Sequence, residues 1–600
     1  MFMFMRRFSS QGGARATAAL LYGANTYIIS VGNQHMFIGL VYGIAPFVIG
    51  GYLDAFESVS CPRNARRYFS RMTPAIGPGL LLSLALMLDA RIALLILAAS
   101  VFLGIISIIV NRKWKPIACA FGFSLAIVAG THAYWIVPLL LHGHGAAYAG
   151  ILPPVPWISW ADLPHAIALN EPFWTGAEQT YFHPNAPSMV LQLTPVFAFG
   201  ALLIRRRYRD WRLGAFGFLS LIGVFLVKGE NPPFGEAYRW LFLHLPPMRL
   251  FRDMSKFNLF VALGYAVLIG SFVASLIEGR VRDRNGVSFI GANRTFLGWL
   301  NQLVRPALVC VVIAVVLFGA RPLLTQDMGI MRTRAVPSAY AEVARVLGRD
   351  PEFGRVLWVP GEPRFSSRSR RHPAVVPADF VDLIPESSRF VDTPTELLFQ
   401  RSINEYLYAY AVRYIVVDLR EELAGYPGAN NEQRSFYGAS VEESLDSLSS
   451  TTLLSRSGGV TVFGVRGTPA FATVSLPDVR GGPDVTFSRS FDGARRVEWR
   501  PSRNGAQSLI ISERFHKGWH GEFVGQTANG REIPVRARHV VGTRDRNSWE
   551  VDVPSGVVTV KGQMRLRAQR YANAGVAISS VTLLALLGAI FARPRKRTRS

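Results

Sequence analysis

The sequence predicts a multi-pass α-helical membrane protein that carries an external α/β lobe and a β-sandwich lobe. Half of its 600 residues are apolar, and its mean hydropathy of +0.23 is not that of a typical soluble protein. The apolar residues are grouped into runs of about 17–25, long enough to cross the roughly 30 Å hydrocarbon core of a bilayer. Arg and Lys are concentrated in the short segments between these runs, as in membrane proteins of fixed topology.

The apolar runs predict about ten membrane spans. The third run is short and contains Pro74 and Pro78, so it carries the weakest span signal. The predicted spans lie at about 14–31, 36–53, 74–89, 92–110, 116–140, 188–204, 212–228, 257–278, 306–324 and 572–592.

The placement of the cations predicts which side each connection faces. A net charge of +25 raises the question of nucleic-acid binding, but the cations cluster between the spans, which indicates a topology signal instead. Counting spans puts all the basic clusters on one side, while 142–187 contains no Lys or Arg. Both termini are therefore predicted to be cytoplasmic in a plasma-membrane protein. The basic clusters are Arg6/Arg7/Arg15, Arg63/Arg66/Arg67/Arg71, Arg112/Lys113/Lys115, Arg205/Arg206/Arg207/Arg209/Arg212, Arg280/Arg282/Arg284/Arg294/Arg305 and the tail RPRKRTRS.

The chain divides into a transmembrane core at 1–324, an external part, and a terminal helix with a basic tail at 569–600. Within the external part, 325–470 mixes helical and strand patterns, including the amphipathic PSAYAEVARVL and the strand-like GRVLWVP, and predicts an α/β lobe. Short alternating runs separated by Gly, Asn and Pro then predict a β-sandwich at 471–568.

Three cations stand directly before the eighth span, on the side that should be poor in cations. Arg249, Arg252 and Lys256 are spaced i, i+3, i+7, which would place them on one face of a helix. Arg can hold a phosphate bidentately and Lys adds charge, so the three are candidate phosphate-binding residues at the membrane surface. The alternative is that they anchor the helix by reaching towards the lipid head groups.

The external segment 142–187 combines aromatic side chains with acids. Stacking platforms beside carboxylates suit a sugar or a lipid head group, and one carboxylate can act as general base on an acceptor hydroxyl. An ordinary interfacial loop is the alternative. The candidate bases are Asp162, Glu171 and Glu178, and the candidate binding residues are Trp160 and Trp174, joined by His35 and Asp89 from other external turns and Trp135 from the end of the fifth span.

The order of several stretches resembles that of a known family. These stretches are ALLYGANTYIISVGNQHMFIGLVYGIAPFVI, HAYWIVPLLL, KGENPPFGEAYRWLFLHLPPMRLFRDMSKF, ISERFHKGWHGEF and RYANAGVAISSVTLLALL. Together they resemble the YfhO-type bacterial membrane proteins and the mycobacterial arabinofuranosyltransferase-like proteins of the GT-C glycosyltransferase superfamily. The resemblance spans most of the chain, although each motif alone is degenerate.

The resemblance implies a GT-C-like core that transfers a sugar from a polyprenyl-phosphate donor to a cell-envelope glycan or lipid-linked acceptor outside the cell. It requires no cofactor. A divalent metal is compatible with it, but the sequence specifies no metal site. In the superfamily the first external loop carries the catalytic acid, whereas here V-G-N-Q-H joins the first two runs. We therefore expect an N-terminal truncation or a separate N-terminal half as partner.

Two alternatives to an enzyme stay open at the level of sequence. One is a non-catalytic membrane scaffold or glycan-binding component of envelope assembly. The other is a lipid-linked sugar transporter, which would need a polar path through several spans. His132 is the ionisable residue that the sequence places inside a span, so the transporter is the weaker alternative.

Overall fold

The structure is a computed structural model of the full chain. It separates into a helical unit, comprising Met1–Ala133, Pro154–Thr333 and Ile578–Ser600, and a strand-rich unit, comprising Tyr134–Pro153 and Arg334–Ala577. The residues it describes are 1–29, 36–58, 68–142, 161–170, 189–204, 210–251, 253–278, 294–325, 338–359, 369, 371–375, 407–418, 442–443, 445–467, 472–475, 485–489, 494–542 and 546–591.

Long apolar helices dominate the first half of the chain, because a helix satisfies its own backbone polar groups in a bilayer. We number the helices in chain order. They are α1 Gly12–Gly23, α2 Met36–Ser58, α3 Tyr68–Leu88, α4 Ala90–Asn111, α5 Trp114–Thr131, α6 Ala133–His142, α7 Leu163–Ile167, α8 Leu193–Ile204, α9 Trp211–Val227, α10 Gly235–His244, α11 Asn258–Glu278, α12 Arg294–Thr325, α13 Ser338–Gly348 and α14 Arg567–Phe591.

The prediction of about ten spans is confirmed only in part. Among the described residues, six segments are long and apolar enough to cross a membrane, and three further apolar helices are shorter: Pro74–Leu88, Leu193–Leu203 and Trp211–Val227. The first predicted run is also interrupted, because α1 ends at Gly23 and helical residues resume only at Thr26. The six segments are Met36–Glu57, Ala90–Asn111, Trp114–Thr131, Met254–Ile277, Val304–Arg321 and Arg567–Gly588.

Helix α11 forms the centre of the helical unit, and nearly all of its side chains are buried. It packs against α9 at two glycines that allow a close helix approach. A Cβ at Gly264 would lie 2.5 Å from the carbonyl oxygen of Phe216, and one at Gly223 would lie 2.9 Å from the backbone nitrogen of Val261. Side chains larger than hydrogen at these positions would force the two helices apart.

The strand-rich unit begins with the α/β arrangement that the pattern predicts. A five-stranded sheet has the order β2-β1-β3-β5-β4, with β1 parallel to β2 and β3 and the other pairs antiparallel. Helix α13 covers one face through Tyr340, whose hydroxyl donates to Asp418 at 2.6 Å. The strands are β1 Arg355–Val359, β2 Ala374–Val375, β3 Val412–Asp418, β4 Thr451–Ser457 and β5 Val460–Val465.

The remaining strands form one eight-stranded sheet and not the two separate sheets of the predicted sandwich. Its order is β6-β9-β12-β11-β10-β13-β8-β7, and the edge strands β6 and β7 approach one another, so the sheet curls around its own core. Trp499, Phe523 and Trp549 fill that core. Strand twist explains the difference, since a long twisted ladder can fold over and bury one face by itself. The strands are β6 Ala472–Ser475, β7 Val485–Arg489, β8 Arg495–Trp499, β9 Gly505–Arg514, β10 Trp519–Thr527, β11 Glu532–Val541, β12 Arg546–Val553 and β13 Val557–Leu566.

Candidate functional site

Helix ends that the topology predicts to be external lie together in the helical unit. We call residues 89–91, 161–170, 228–231 and 253–256 the loop face. Asn231 donates to the carbonyl oxygen of Ala161 at 3.0 Å. Asp253 lies near enough to Arg91 for its negative charge to attract the guanidinium group. The loop face therefore brings together the α3–α4 turn, the residues that follow α9, the turn that precedes α11 and part of the aromatic segment.

The segment 161–170 is fixed to the helices at three points. Besides the bond from Asn231, the Tyr265 hydroxyl of α11 donates to the carbonyl oxygen of Ile167 at 2.8 Å. Thr26, just after α1, donates to the carbonyl oxygen of Leu169 at 3.0 Å. Because the bonds come from three places in the chain, this short segment is held against the helices although α7 itself has little more than one turn.

Asp162 begins α7 and is joined to a buried histidine. Its carboxylate accepts the backbone N–H of His165 at 3.0 Å and lies 2.6 Å from the Nδ1 atom of the His165 ring. His165 is 1% exposed, whereas the Asp162 side chain is 51% exposed. Leu163-Pro164 follows the cap because proline fits the first turn of a helix. The carboxylate is therefore held in place while half of it stays exposed, which leaves it accessible to a bound acceptor, as a general base must be.

Lys256 is buried and already has a carboxylate partner. Its ammonium group forms an ion pair with Asp253, and its side chain is 5% exposed. Asp253 also accepts the backbone N–H of Ser255 at 3.0 Å and so begins the 3-10 turn Met254–Phe257. The sequence missed this role of Asp253, although the i, i+3 spacing of Asp253 and Lys256 was its signal.

The predicted α-helical face through Arg249, Arg252 and Lys256 is wrong, because this stretch forms two short 3-10 turns. The first turn is Pro246–Phe251 and the second begins after Asp253. Asp253, whose backbone is extended, caps the second turn and so interrupts a continuous helix. Arg249 lies in the first turn, but its side chain and the whole of Arg252 fall outside the described residues.

Asp89 begins α4 and is paired with Arg91. The carboxylate accepts the backbone N–H groups of Arg91 and Ile92 at 2.9 and 3.1 Å, and the Arg91 guanidinium donates to it at 2.6 Å. The Asp89 side chain is 8% exposed. These contacts account for the acid at this turn as a helix cap, so its role as a binding residue stays a prediction.

Two further polar side chains are buried here, Lys228 in the loop face itself and Tyr238 near it. The ammonium group of Lys228, 2% exposed, donates to the carbonyl oxygens of Asn231 at 2.7 Å and Gly229 at 3.4 Å. Burial raises the pKa of Tyr238, and the nearby charges of Glu230 and Asp253 add to the increase. The Tyr238 hydroxyl has no hydrogen-bond partner within the described part of the chain.

Five further predicted site residues lie outside the described residues. These are His35, Trp160, Glu171, Trp174 and Glu178. Trp135 lies in α6 and is 38% exposed. His132, the ionisable residue in the fifth span, is buried and its Nε2 atom lies 2.9 Å from the carbonyl oxygen of Ser83 on α3, so it joins two helices. No group of His, Cys, Asp and Glu within the described ranges is arranged to hold a metal ion.

The other end of α9 carries a different set of charges. We call Arg7, Phe8, Asp54, Asp210 and Arg212 the basic face. The Arg7 guanidinium donates to Asp54 at 2.8 Å, Asp210 accepts from Arg212 at 2.9 Å, and the Arg212 guanidinium lies 5.3 Å from the Phe8 ring centre. Residues predicted on the same side of the membrane thus lie together, while the identity of the external side stays a prediction.

The chain matches no protein-family model and no curated protein. Among solved structures it is similar to the cryo-EM structure of the arabinofuranosyltransferase AftD from Mycobacteria, with 12% identity, a TM-score of 0.44, and coverage of 92% of this chain and 48% of that one. A mutant of AftD gives 12% identity, a TM-score of 0.34, and coverage of 94% and 53%. The chain spans about half the length of these solved chains. At such identities and scores the likeness decides neither fold nor activity.

Proposed function

We propose that this protein is a membrane glycosyltransferase whose chemistry takes place at the loop face. In this proposal it transfers a sugar from a polyprenyl-phosphate donor to a cell-envelope glycan or lipid-linked acceptor on the external side. The stretches of this chain that resemble YfhO-type and arabinofuranosyltransferase-like proteins support the reaction class. The observation that carries the proposal is the outward-facing carboxylate of Asp162, held by the buried His165 in a segment tied to three parts of the helical unit.

The proposed reaction gives Asp162 the task of general base. Its carboxylate takes the proton of an acceptor hydroxyl, the hydroxyl oxygen attacks the anomeric carbon of the donor sugar, and the bond from that carbon to the phosphate oxygen breaks. The polyprenyl phosphate leaves with the electron pair, and the configuration at the anomeric carbon inverts. His165 is a positioning residue, because it contacts the base and is itself buried.

The cations before α11 would stabilise the leaving phosphate. Arg249 and Arg252 suit this task because a guanidinium holds phosphate oxygens in a fixed geometry and lowers the cost of the developing charge. Lys256, which the sequence predicted to bind phosphate, has a positioning role in this proposal instead. Because its ammonium group is buried and paired with Asp253, we assign it the positioning of the turn Met254–Phe257, which follows the two arginines in the chain.

The test is sugar transfer by proteoliposomes that contain the full chain and radiolabelled polyprenyl-phosphate sugars. Asp162→Asn keeps the ability to cap α7 but removes the base, so we expect transfer to fall about a hundredfold or more. The matched control is Asp210→Asn, which changes the cap of α9 on the basic face in the same way and should leave transfer unchanged. Equal transfer by both variants would reject the proposal.

A non-catalytic scaffold is the second candidate, and one observation favours it. Lys256 and Asp89, both predicted to bind substrate, are already engaged in ion pairs within the chain. A scaffold would bind envelope glycan without transferring sugar. Wild-type proteoliposomes that retain labelled glycan and show no transfer from any donor, alone or with a separately expressed partner, would establish this alternative.

A further inference from the structure

A cleft in the strand-rich unit lies at the point where the curled sheet passes into the last helix. It has a volume of about 130 Å³. Strand β13 ends at Leu566 and α14 begins at Arg567 without a loop between them. The backbone N–H of Arg567 donates to the carbonyl oxygen of Gly518 at 2.8 Å, which ties this junction to the start of β10. The cleft is lined by His520, Glu522, Gln563, Arg565, Leu566, Arg567 and Arg570.

The pairing of two strands explains why polar side chains collect in this cleft. In the antiparallel pair β10–β13, His520 lies opposite Arg565 and Glu522 lies opposite Gln563. Side chains alternate between the faces of a strand, so these four share a face while Phe523 and Met564 point into the core. The cleft is therefore built on the polar outer face of a rigid sheet.

The charge of the cleft is strongly positive. Three guanidinium groups, from Arg565, Arg567 and Arg570, stand against a single carboxylate, that of Glu522, among the described residues that line it. Arg567 and Arg570 are three positions apart in α14 and therefore lie on one face of the helix. Guanidinium groups that line one cleft are suited to bind phosphate oxygens with charge-assisted hydrogen bonds.

The cleft lies at the start of a long apolar helix, and this position indicates which phosphate-bearing molecule it would bind. Arg567–Gly588 is a segment long and apolar enough to span a membrane, so the arginines stand at its first turn. One helical turn rises about 5.4 Å, which places them at the level of lipid head groups and not deep in the hydrocarbon. The exposed Tyr571 follows, and tyrosine is common at that level.

We propose that this cleft binds the phosphate of an anionic phospholipid head group and so fixes the strand-rich unit at the membrane surface. The site is independent of the transfer chemistry proposed for the loop face, since none of its residues belongs to that face. The phosphate would contact Arg567 and Arg570 from the helix and Arg565 from the sheet, while Glu522 opposes binding.

The test measures lipid retained by the full-length protein in neutral detergent, by native mass spectrometry with phosphatidylglycerol or phosphatidylcholine added. We expect the wild type to retain phosphatidylglycerol in preference to phosphatidylcholine. Arg567→Gln/Arg570→Gln should lower this retention about tenfold, because charge-assisted bonds are lost. The matched control Arg531→Gln/Arg536→Gln removes the same charge from two exposed positions, one in the turn before β11 and one in β11, and should change retention less than about twofold.

A third variant acts in the opposite direction and excludes simple misfolding as the cause. Glu522→Gln removes the carboxylate from the cleft, so we expect it to increase retention of phosphatidylglycerol. The proposal fails if the control pair lowers retention as much as the cleft pair, or if both lipids are retained equally. It also fails if inorganic phosphate binds as tightly as the lipid and displaces it, because the site would then recognise free phosphate.

Discussion

One ion pair on each face of the helical unit shows a different exposure to water. On the basic face the Arg7–Asp54 pair stays in contact with water: Asp54 is 58% exposed and Arg7 is 25% exposed. On the loop face Lys256 is 5% exposed and its partner Asp253 is 16% exposed. Removing charges from water is costly, so an arrangement that buries them must be matched by close pairing and capping. We expect this contrast if the loop face holds the proposed site and the basic face acts as a topology signal.

The largest expected effect is a difference in stability between two single variants, each of which lacks one carboxylate on one of the two faces. Asp253→Ala leaves the buried Lys256 ammonium without its partner and should lower the free energy of unfolding by about 3–5 kcal/mol. Asp54→Ala breaks an exposed pair and should cost about 0–1 kcal/mol. Denaturant titration of both variants in the same detergent measures the two costs. Similar costs would remove the contrast between the faces.

A smaller effect is expected from the hydroxyl that ties segment 161–170 to α11. Tyr265→Phe removes the bond to the carbonyl oxygen of Ile167 and should cost about 1 kcal/mol. Faster hydrogen exchange should be confined to residues 163–170 if the segment is held as we describe. Tyr22→Phe is the matched control, since it removes a buried bond to the Tyr42 carbonyl oxygen within the helices. Unchanged exchange at 163–170 in Tyr265→Phe would contradict the described attachment.

The smallest expected effect is a pH dependence of stability caused by His539, a partly buried titratable group in the strand-rich unit that can be compared with the buried charges of the loop face. Burial lowers the pKa of His539, whose ring stacks between Phe515 and Trp549 at centroid distances of 4.8 and 4.6 Å. A depressed folded-state pKa means that the unfolded chain binds the proton more readily. His539 therefore favours folding fully above the unfolded pKa of about 6.5, and its contribution is lost as the pH falls below that value.

Thermal unfolding of wild type and His539→Phe between neutral pH and about pH 5 checks this expectation. The wild type should lose stability relative to the variant as the pH falls. Parallel pH profiles would show that the histidine ring is as accessible to protons in the folded protein as in the unfolded chain.

The sequence predicted the elements whose pattern is local. The length of the apolar runs predicted the long helices. The helical periodicity of PSAYAEVARVL and the alternation of GRVLWVP predicted α13 and β1 to within a residue or two. The curled sheet was beyond sequence reasoning, because the order of eight strands depends on contacts between residues far apart in the chain.

The candidate site was predicted less well than the fold, for a related reason. Asp162 was chosen as an acid in an aromatic loop, but its buried partner His165 and the attachment of the segment through Thr26 and Tyr265 involve long-range contacts. The cations at 249–256 were assigned to one helical face because spacing alone cannot reveal that Asp253 starts a new turn and neutralises Lys256.

The central claim is that the loop face is the external, working side of the helical unit. Asp162→Cys and Asp54→Cys test it directly, because the two native side chains are 51% and 58% exposed and stand on opposite faces. Intact cells are treated with a membrane-impermeant maleimide, and labelling is measured above the wild-type level. We expect Asp162→Cys to be labelled in intact cells and Asp54→Cys only after permeabilisation. Labelling of Asp54→Cys alone in intact cells would contradict it.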